Sequence, residues 1–134
     1  KPLDLVIVDY LQQLELDDNT NRVQVVSEIT RKYKLLASEL KIPIIELSQL
    51  SRKVEDRAIK IPILSDLRDS GSIEQDMSGV IFIYRPSYYG IEEDSNGNDL
   101  TNIAEIIIAK NKFGRKGKIK YYFDAETTLF REVK

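Results

Sequence analysis

Two apolar stretches of this chain each run into a polar residue able to act on a phosphate or its metal, and a third runs into a basic stretch. Val6, Ile7 and Val8 lead to Asp9; Ile44, Ile45, Glu46 and Leu47 lead to Ser48 and Gln49; Ile103 through Ala109 lead to Lys110 and, two residues on, Lys112. In open α/β sheets ligands sit at the carboxyl ends of the strands. A carboxylate there can hold Mg²⁺ or its water, and the metal bridges nucleotide phosphates. A glutamine amide both donates and accepts, which suits a group that reads a γ-phosphate or orients a water. Each signal has an ordinary alternative: strands often end in Asp for turn or cap reasons, Gln49 can be a loop-tip residue, and the lysines can be a solvated surface.

The composition removes other chemistries. The chain has neither histidine nor cysteine. That excludes Ser–His and Cys–His catalysis, zinc–imidazole and thiolate sites, and a disulfide framework. A length of 134 residues suits one domain with a sizeable core, and 42% hydrophobic with 31% charged residues is ordinary for a globular protein. No apolar run reaches the length of a membrane span, and no signal-peptide series opens the chain, so a cytoplasmic location is expected. A net charge of −2 argues against a generally basic nucleic-acid coat but leaves room for local contacts. Charge is uneven. Lys110, Lys112, Arg115, Lys116, Lys118 and Lys120 follow one another without an acid, whereas Glu92, Glu93, Asp94 and Asp99 form an acidic stretch without a base.

The elements that position these residues follow from periodicity. Residues 3–8 and 44–47 read as short buried strands. Between them Val23, Val26, Ile29, Tyr33, Leu36 and Leu40 recur at helical spacing, with Asn21 and Gln24 as a variant capping box and Ile42 before Pro43 as the stop. Strand, helix, strand reads as a parallel βαβ unit. Ser72 and Gln75 form a capping box for a short helix through Asp76. Residues 80–84 read as a third buried strand and residues 103–109 as a fourth strand, separated by a long exposed loop or hairpin over 86–102. Gly114 and Gly117 bracket a turn. Ile119, Tyr121 and Phe123 then alternate with Lys118, Lys120 and Tyr122 in a half-exposed antiparallel strand near the sheet edge. Residues 129–133 add a last short strand. The fold class is therefore α/β, with a mainly parallel sheet finishing in antiparallel strands.

One stretch narrows the function. Ser65-Asp66-Leu67-Arg68-Asp69-Ser70-Gly71-Ser72-Ile73-Glu74-Gln75-Asp76 closely resembles the signature loop and helix of DnaB-type replicative DNA helicases. V-I-V-D-Y-L at 6–11 resembles a Walker B element. L-S-Q-L at 47–50, F-I-Y-R at 82–85 and E-I-I-I-A-K-N-K at 105–112 resemble further elements of that family in order and spacing. The resemblance covers essentially the whole chain, and five modest motifs in order are highly specific.

The resemblance implies the C-terminal portion of a RecA-like P-loop NTPase core. Members form hexameric rings, hydrolyse NTP at subunit interfaces, and translocate 5′ to 3′ on single-stranded DNA in the central channel during DNA replication. ATP and Mg²⁺ are the implied cofactors, and primase and a helicase loader the implied partners. Asp9 falls at the Walker B position as a Mg²⁺ or water ligand, and Gln49 at the phosphate-sensing glutamine. Arg68, Asp69, Ser70 and Gly71 fall on the loop that follows the DNA backbone. A glycine there lets backbone N–H groups approach a phosphate closely. Arg68 can pair with a phosphate or with an acid, as a loop-fixing salt bridge. Lys110 and Lys112 match the pair that reaches the γ-phosphate held by the adjacent subunit. This chain departs from the pattern there: the second position is usually an arginine finger, and Lys112 offers a point charge without the planar fork. Either Lys112 or Arg115 acts as the finger. Asp69 replaces the more usual Glu.

No G-x-x-x-x-G-K-[ST] occurs among the six glycines, Gly71, Gly79, Gly90, Gly97, Gly114 and Gly117. The expectation is thus a partial domain over 1–134, running from the Walker B strand to the C-terminus, without the Walker A half, the catalytic glutamate or the N-terminal helical domain. Such a piece alone is expected to lack ATPase activity and to self-associate through an unpaired sheet edge. Two alternatives stay open: a RecA or clock-type ATPase fragment, which shares the strand order, and a non-catalytic α/β binding module in which Asp9 and Gln49 are loop residues.

Overall fold

The computed structural model describes residues 3–10, 22–67 and 73–133. The chain divides into two compact units, residues 1–52 with 63–77, and residues 53–62 with 78–134.

The first unit is the βαβ element. β1 (Val6–Val8) and β2 (Ile44–Glu46) pair in parallel, with Val6 opposite Ile44 and Val8 opposite Glu46. The pairing runs one bond further at each end, where Val6 donates to the Pro43 carbonyl and Leu47 to the Val8 carbonyl. α1 (Arg22–Leu40) crosses between them. It is free of glycine and proline and rich in straight-chain residues, which lose little side-chain freedom in a helix. Its buried line passes through Val26 and Thr30 and then the half-buried Tyr33 and Ala37, whereas Leu36 and Leu40 are exposed. The periodic stripe is thus rotated from the expected one. A threonine, not Ile29, takes the fully buried position, because β2 offers it a carboxylate partner. The helix ends at Leu40, the last residue of the expected stripe and two residues before Ile42. Lys41 adopts a left-handed φ of 56°, and the Ile42 N–H donates back to the Ala37 carbonyl, satisfying an orphan acceptor of the last turn. α2 (Ile73–Asp76) ends at Asp76, as expected, and the Lys34 ammonium reaches Asp76 at 3.4 Å. The cap positions Asn21 and Ser72 lie outside the described residues.

The second unit is a four-stranded antiparallel sheet in the order β3 (Gly79–Tyr84), β4 (Ile103–Asn111), β5 (Gly117–Asp124) and β6 (Leu129–Glu132). Val80, Phe82 and Tyr84 of β3 are buried, while Ile81 and Ile83 are exposed, so β3 is covered on one face and not on both. Phe123 of β5 packs on Phe130 of β6 at 4.8 Å and carries the Arg85 guanidinium at 4.1 Å from its ring centre. Residues 86–102 form a compact excursion. A 3₁₀ turn, Pro86–Tyr89, closes on Gly90 at φ 72°. A tight turn then folds around the Asp94 carboxylate, which accepts from the Asn98 side chain and from the Asn96 and Asn98 backbone N–H groups.

The expectation of a mainly parallel sheet holds only for β1 and β2 among the described strands. β3 through β6 are all antiparallel. Parallel neighbours need a long crossover, normally a helix, and no α-helix separates any two of β3–β6. The fold class itself, α/β, is as expected.

Candidate nucleotide and nucleic-acid site

Both β1 and β2 deliver their next residues to the same end of the parallel pair. Asp9 follows Val8, Leu47 to Gln49 follow Glu46, and together Asp9, Tyr10, Leu47, Ser48 and Gln49 line an open cleft of about 320 Å³. The Asp9–Tyr10 peptide is cis. Sequence proximity could not have brought Asp9 and Gln49 together; the parallel register does. The oxygens available there are a carboxylate, a hydroxyl and an amide, the hard donors that suit Mg²⁺. No group of three or more His, Cys, Asp or Glu able to hold a metal occurs among the described residues.

Just before Leu47 in the chain lies a group that sequence reading missed. Glu46, the last residue of β2, turns toward α1, where the fully buried Thr30 hydroxyl donates to it at 3.4 Å. Burial pushes its carboxyl up from 4.5 to about 7, against the opposing effect of the Thr30 hydrogen bond. The signal available in the sequence was the interruption of an otherwise apolar strand by an acid.

The chain leaving the cleft is tied to the chain entering the signature stretch. Leu50 forms an antiparallel bridge with Leu67, and the Ser51 N–H donates to the Asp66 carbonyl at 2.8 Å. Asp66 is itself buried, and its carboxylate accepts the Ile63 N–H at 2.8 Å. Asp66 thus fixes the short turn Leu64–Asp66 that precedes residue 68. Sequence reading treated Asp66 only as part of the motif. Arg68, Asp69, Ser70 and Gly71 lie outside the described residues.

Lys110 is in β4, and Lys112 just follows it, with its N–H donating to the Ser78 carbonyl at 2.8 Å. Val80 pairs with Lys110 and Ile81 with Ile108, so β4 carries one extra residue, Ala109, ahead of both lysines. The two-residue repeat from Lys110 to Lys112 is therefore uninterrupted. Arg115 is exposed in the loop that follows. These basic residues belong to the second unit, and Asp9 and Gln49 to the first.

The α/β fold is that of RecA-like ATPase domains, as solved structures show. The chain superposes on one solved ATPase domain with a TM-score of 0.86 at 44% identity, covering 97% of this chain and 44% of that one. A DnaB-like replicative helicase, solved in a study of its interactions with primase, gives a TM-score of 0.85 at 42% identity, covering 97% and 30%. The chain belongs to the DnaB-like helicase C-terminal domain family, whose sequence profile matches residues 1–132. It is 46% identical to the replicative DNA helicase DnaB of Geobacillus stearothermophilus and 45% identical to that of Rickettsia typhi, in each case over 96% of this chain. It spans 28% of the length of either relative. No helix of the described residues is long and apolar enough to cross a membrane.

Proposed function

We propose that this chain is part of the motor of a replicative DNA helicase, in which ATP hydrolysis drives translocation on single-stranded DNA and separation of the duplex. The observation that carries this reading is the continuous path from the cleft to the signature stretch. Gln49 lines the cleft beside Asp9, and the residues after it are hydrogen-bonded to Asp66 and Leu67. A change at a phosphate sensed by Gln49 has a short backbone route to residues 68–71, the proposed DNA-contacting loop. Asp9 would hold Mg²⁺ or one of its waters. Mg²⁺, when bound with ATP, supplies charge neutralisation at the β- and γ-phosphates. Lys110 and either Lys112 or Arg115 supply positive charge to a nucleotide held by an adjacent subunit of a hexameric ring. Family resemblance adds primase and a helicase loader as partners and the cytoplasm as location.

The test uses the full-length parent. Asp9→Ala is expected to lower DNA-stimulated ATP hydrolysis by at least about a hundredfold, in line with losing one preorganised electrostatic contact to the transition state. Hydrolysis and unwinding at the unaltered rate would place the active site elsewhere.

A further inference from the structure

The loop joining β4 to β5 has a composition the motor reading does not use in full. Residues 112–116 are Lys, Phe, Gly, Arg and Lys: three cations, one aromatic ring, and no acid. Phe113 is 83% exposed, more than any other large hydrophobic among the described residues. The loop is nonetheless built. The Asn111 side chain accepts the Phe113 N–H at 3.1 Å and donates to the Arg115 carbonyl at 3.3 Å. A Cβ on Gly114 would stand 2.8 Å from the Asn111 amide nitrogen, so glycine lets the loop close over that amide. The Lys112 ammonium lies 5.8 Å from the Phe113 ring centre. Further along β5, Lys118 is paired with Glu105 at 3.2 Å. Arg115 and Lys116 have no ion pair among the described residues.

We propose that this tip binds a base together with its phosphate, Phe113 stacking on the base while Arg115 and Lys116 pair with the phosphate. The inference rests on the motor reading for the kind of ligand at hand, and goes beyond it by giving Phe113 and Lys116 a role. An aromatic face stacks on any nucleobase, and adjacent cations satisfy phosphate oxygens, Arg115 through its planar fork. An apolar pocket on a protein fits the tip less well. It would have to desolvate Lys112 with the ring, and Arg115 and Lys116 beside it. The base and phosphate can come from a nucleoside triphosphate or from a single strand of DNA.

The experiment follows fluorescence quenching of two probes by the 134-residue chain: 2-aminopurine nucleoside triphosphate, and an oligothymidylate carrying one 2-aminopurine. Inorganic tripolyphosphate serves as competitor. Quenching of the first probe alone identifies the nucleotide as source, and of the second alone the strand; either supports the proposal. F113L is expected to weaken the quenched complex about tenfold while leaving tripolyphosphate competition unchanged. F113Y should bind as the parent does. R115A/K116A should weaken both base and tripolyphosphate binding and flatten the salt dependence. Phe113 is too exposed for F113L to disturb folding, which circular dichroism checks. The proposal is overturned if neither probe is quenched or if F113L binds them as the parent does. A change in sedimentation with quenching intact also overturns it, and would make Phe113 a protein-docking anchor. No turnover is required, so loss of base stacking and loss of the motor reading register in separate measurements.

Discussion

Glu46→Gln should change how the stability of this chain depends on pH. The carboxyl is half-buried between β2 and α1, and burial raises it from 4.5 to about 7. In the unfolded chain it titrates at its ordinary value. Between the two pH values the folded state keeps a proton that the unfolded chain has released, so stability declines as pH rises through that window. The contribution is complete below pH 4.5 and gone above about 7. The window spans about 2.5 pH units, which at ~1.36 kcal/mol each sets a ceiling of about 3 kcal/mol. Solvent reaches roughly half of the group, and screening reduces the effect to about 1–2 kcal/mol. Glutamine keeps an acceptor for the Thr30 hydroxyl and cannot ionise. The assay is urea unfolding of both proteins at pH 5, 6, 7 and 8. The absence of histidine and cysteine makes this a quiet window, since few other side chains titrate there. The parent should lose about 1–2 kcal/mol relative to Glu46→Gln between pH 5 and 8. Parallel curves for the two proteins would refute the reasoning and show that water, not α1, surrounds the carboxyl.

Further expectations are more local. Asp66→Ala removes the acceptor of the Ile63 N–H, and unfolding in urea should show a loss of about 1–3 kcal/mol. Asp66→Asn, which can still accept, should recover most of it. In the full-length parent Lys112→Ala should lower DNA-stimulated ATPase by about tenfold or more, while Lys112→Arg, which supplies a planar fork, should match or exceed the parent rate. If Lys112→Ala is silent and Arg115→Ala is not, Arg115 is the finger.

What the sequence determined by itself was local and chemical. Apolar runs at 3–8, 44–47, 80–84 and 103–109 pointed to strands, because β-branched residues fit a pleated, half-buried surface. Pro43 and the helical repeat bounded α1 to within a residue or two. The composition left no histidine or thiol for catalysis, and the order of five motifs pointed to the DnaB-like family before any coordinates did. The tertiary structure decided what depends on contacts distant in sequence. Only the parallel register sets Asp9 beside Gln49, and only the pairing of Leu50 with Leu67 joins that cleft to the signature stretch. Periodicity placed Val23, Val26, Ile29, Tyr33, Leu36 and Leu40 on the helix face; Val26 is buried and Tyr33 half-buried, but Leu36 and Leu40 are exposed and Thr30 takes a fully buried place. A polar side chain can be buried when a partner such as Glu46 is there, and a single chain segment carries no record of that partner. Strand direction was equally out of reach for β3, because a short apolar run looks the same in a parallel and an antiparallel sheet. Polar residues ending apolar strands were thus legible from residue types alone. Which of those residues act together was decided by register.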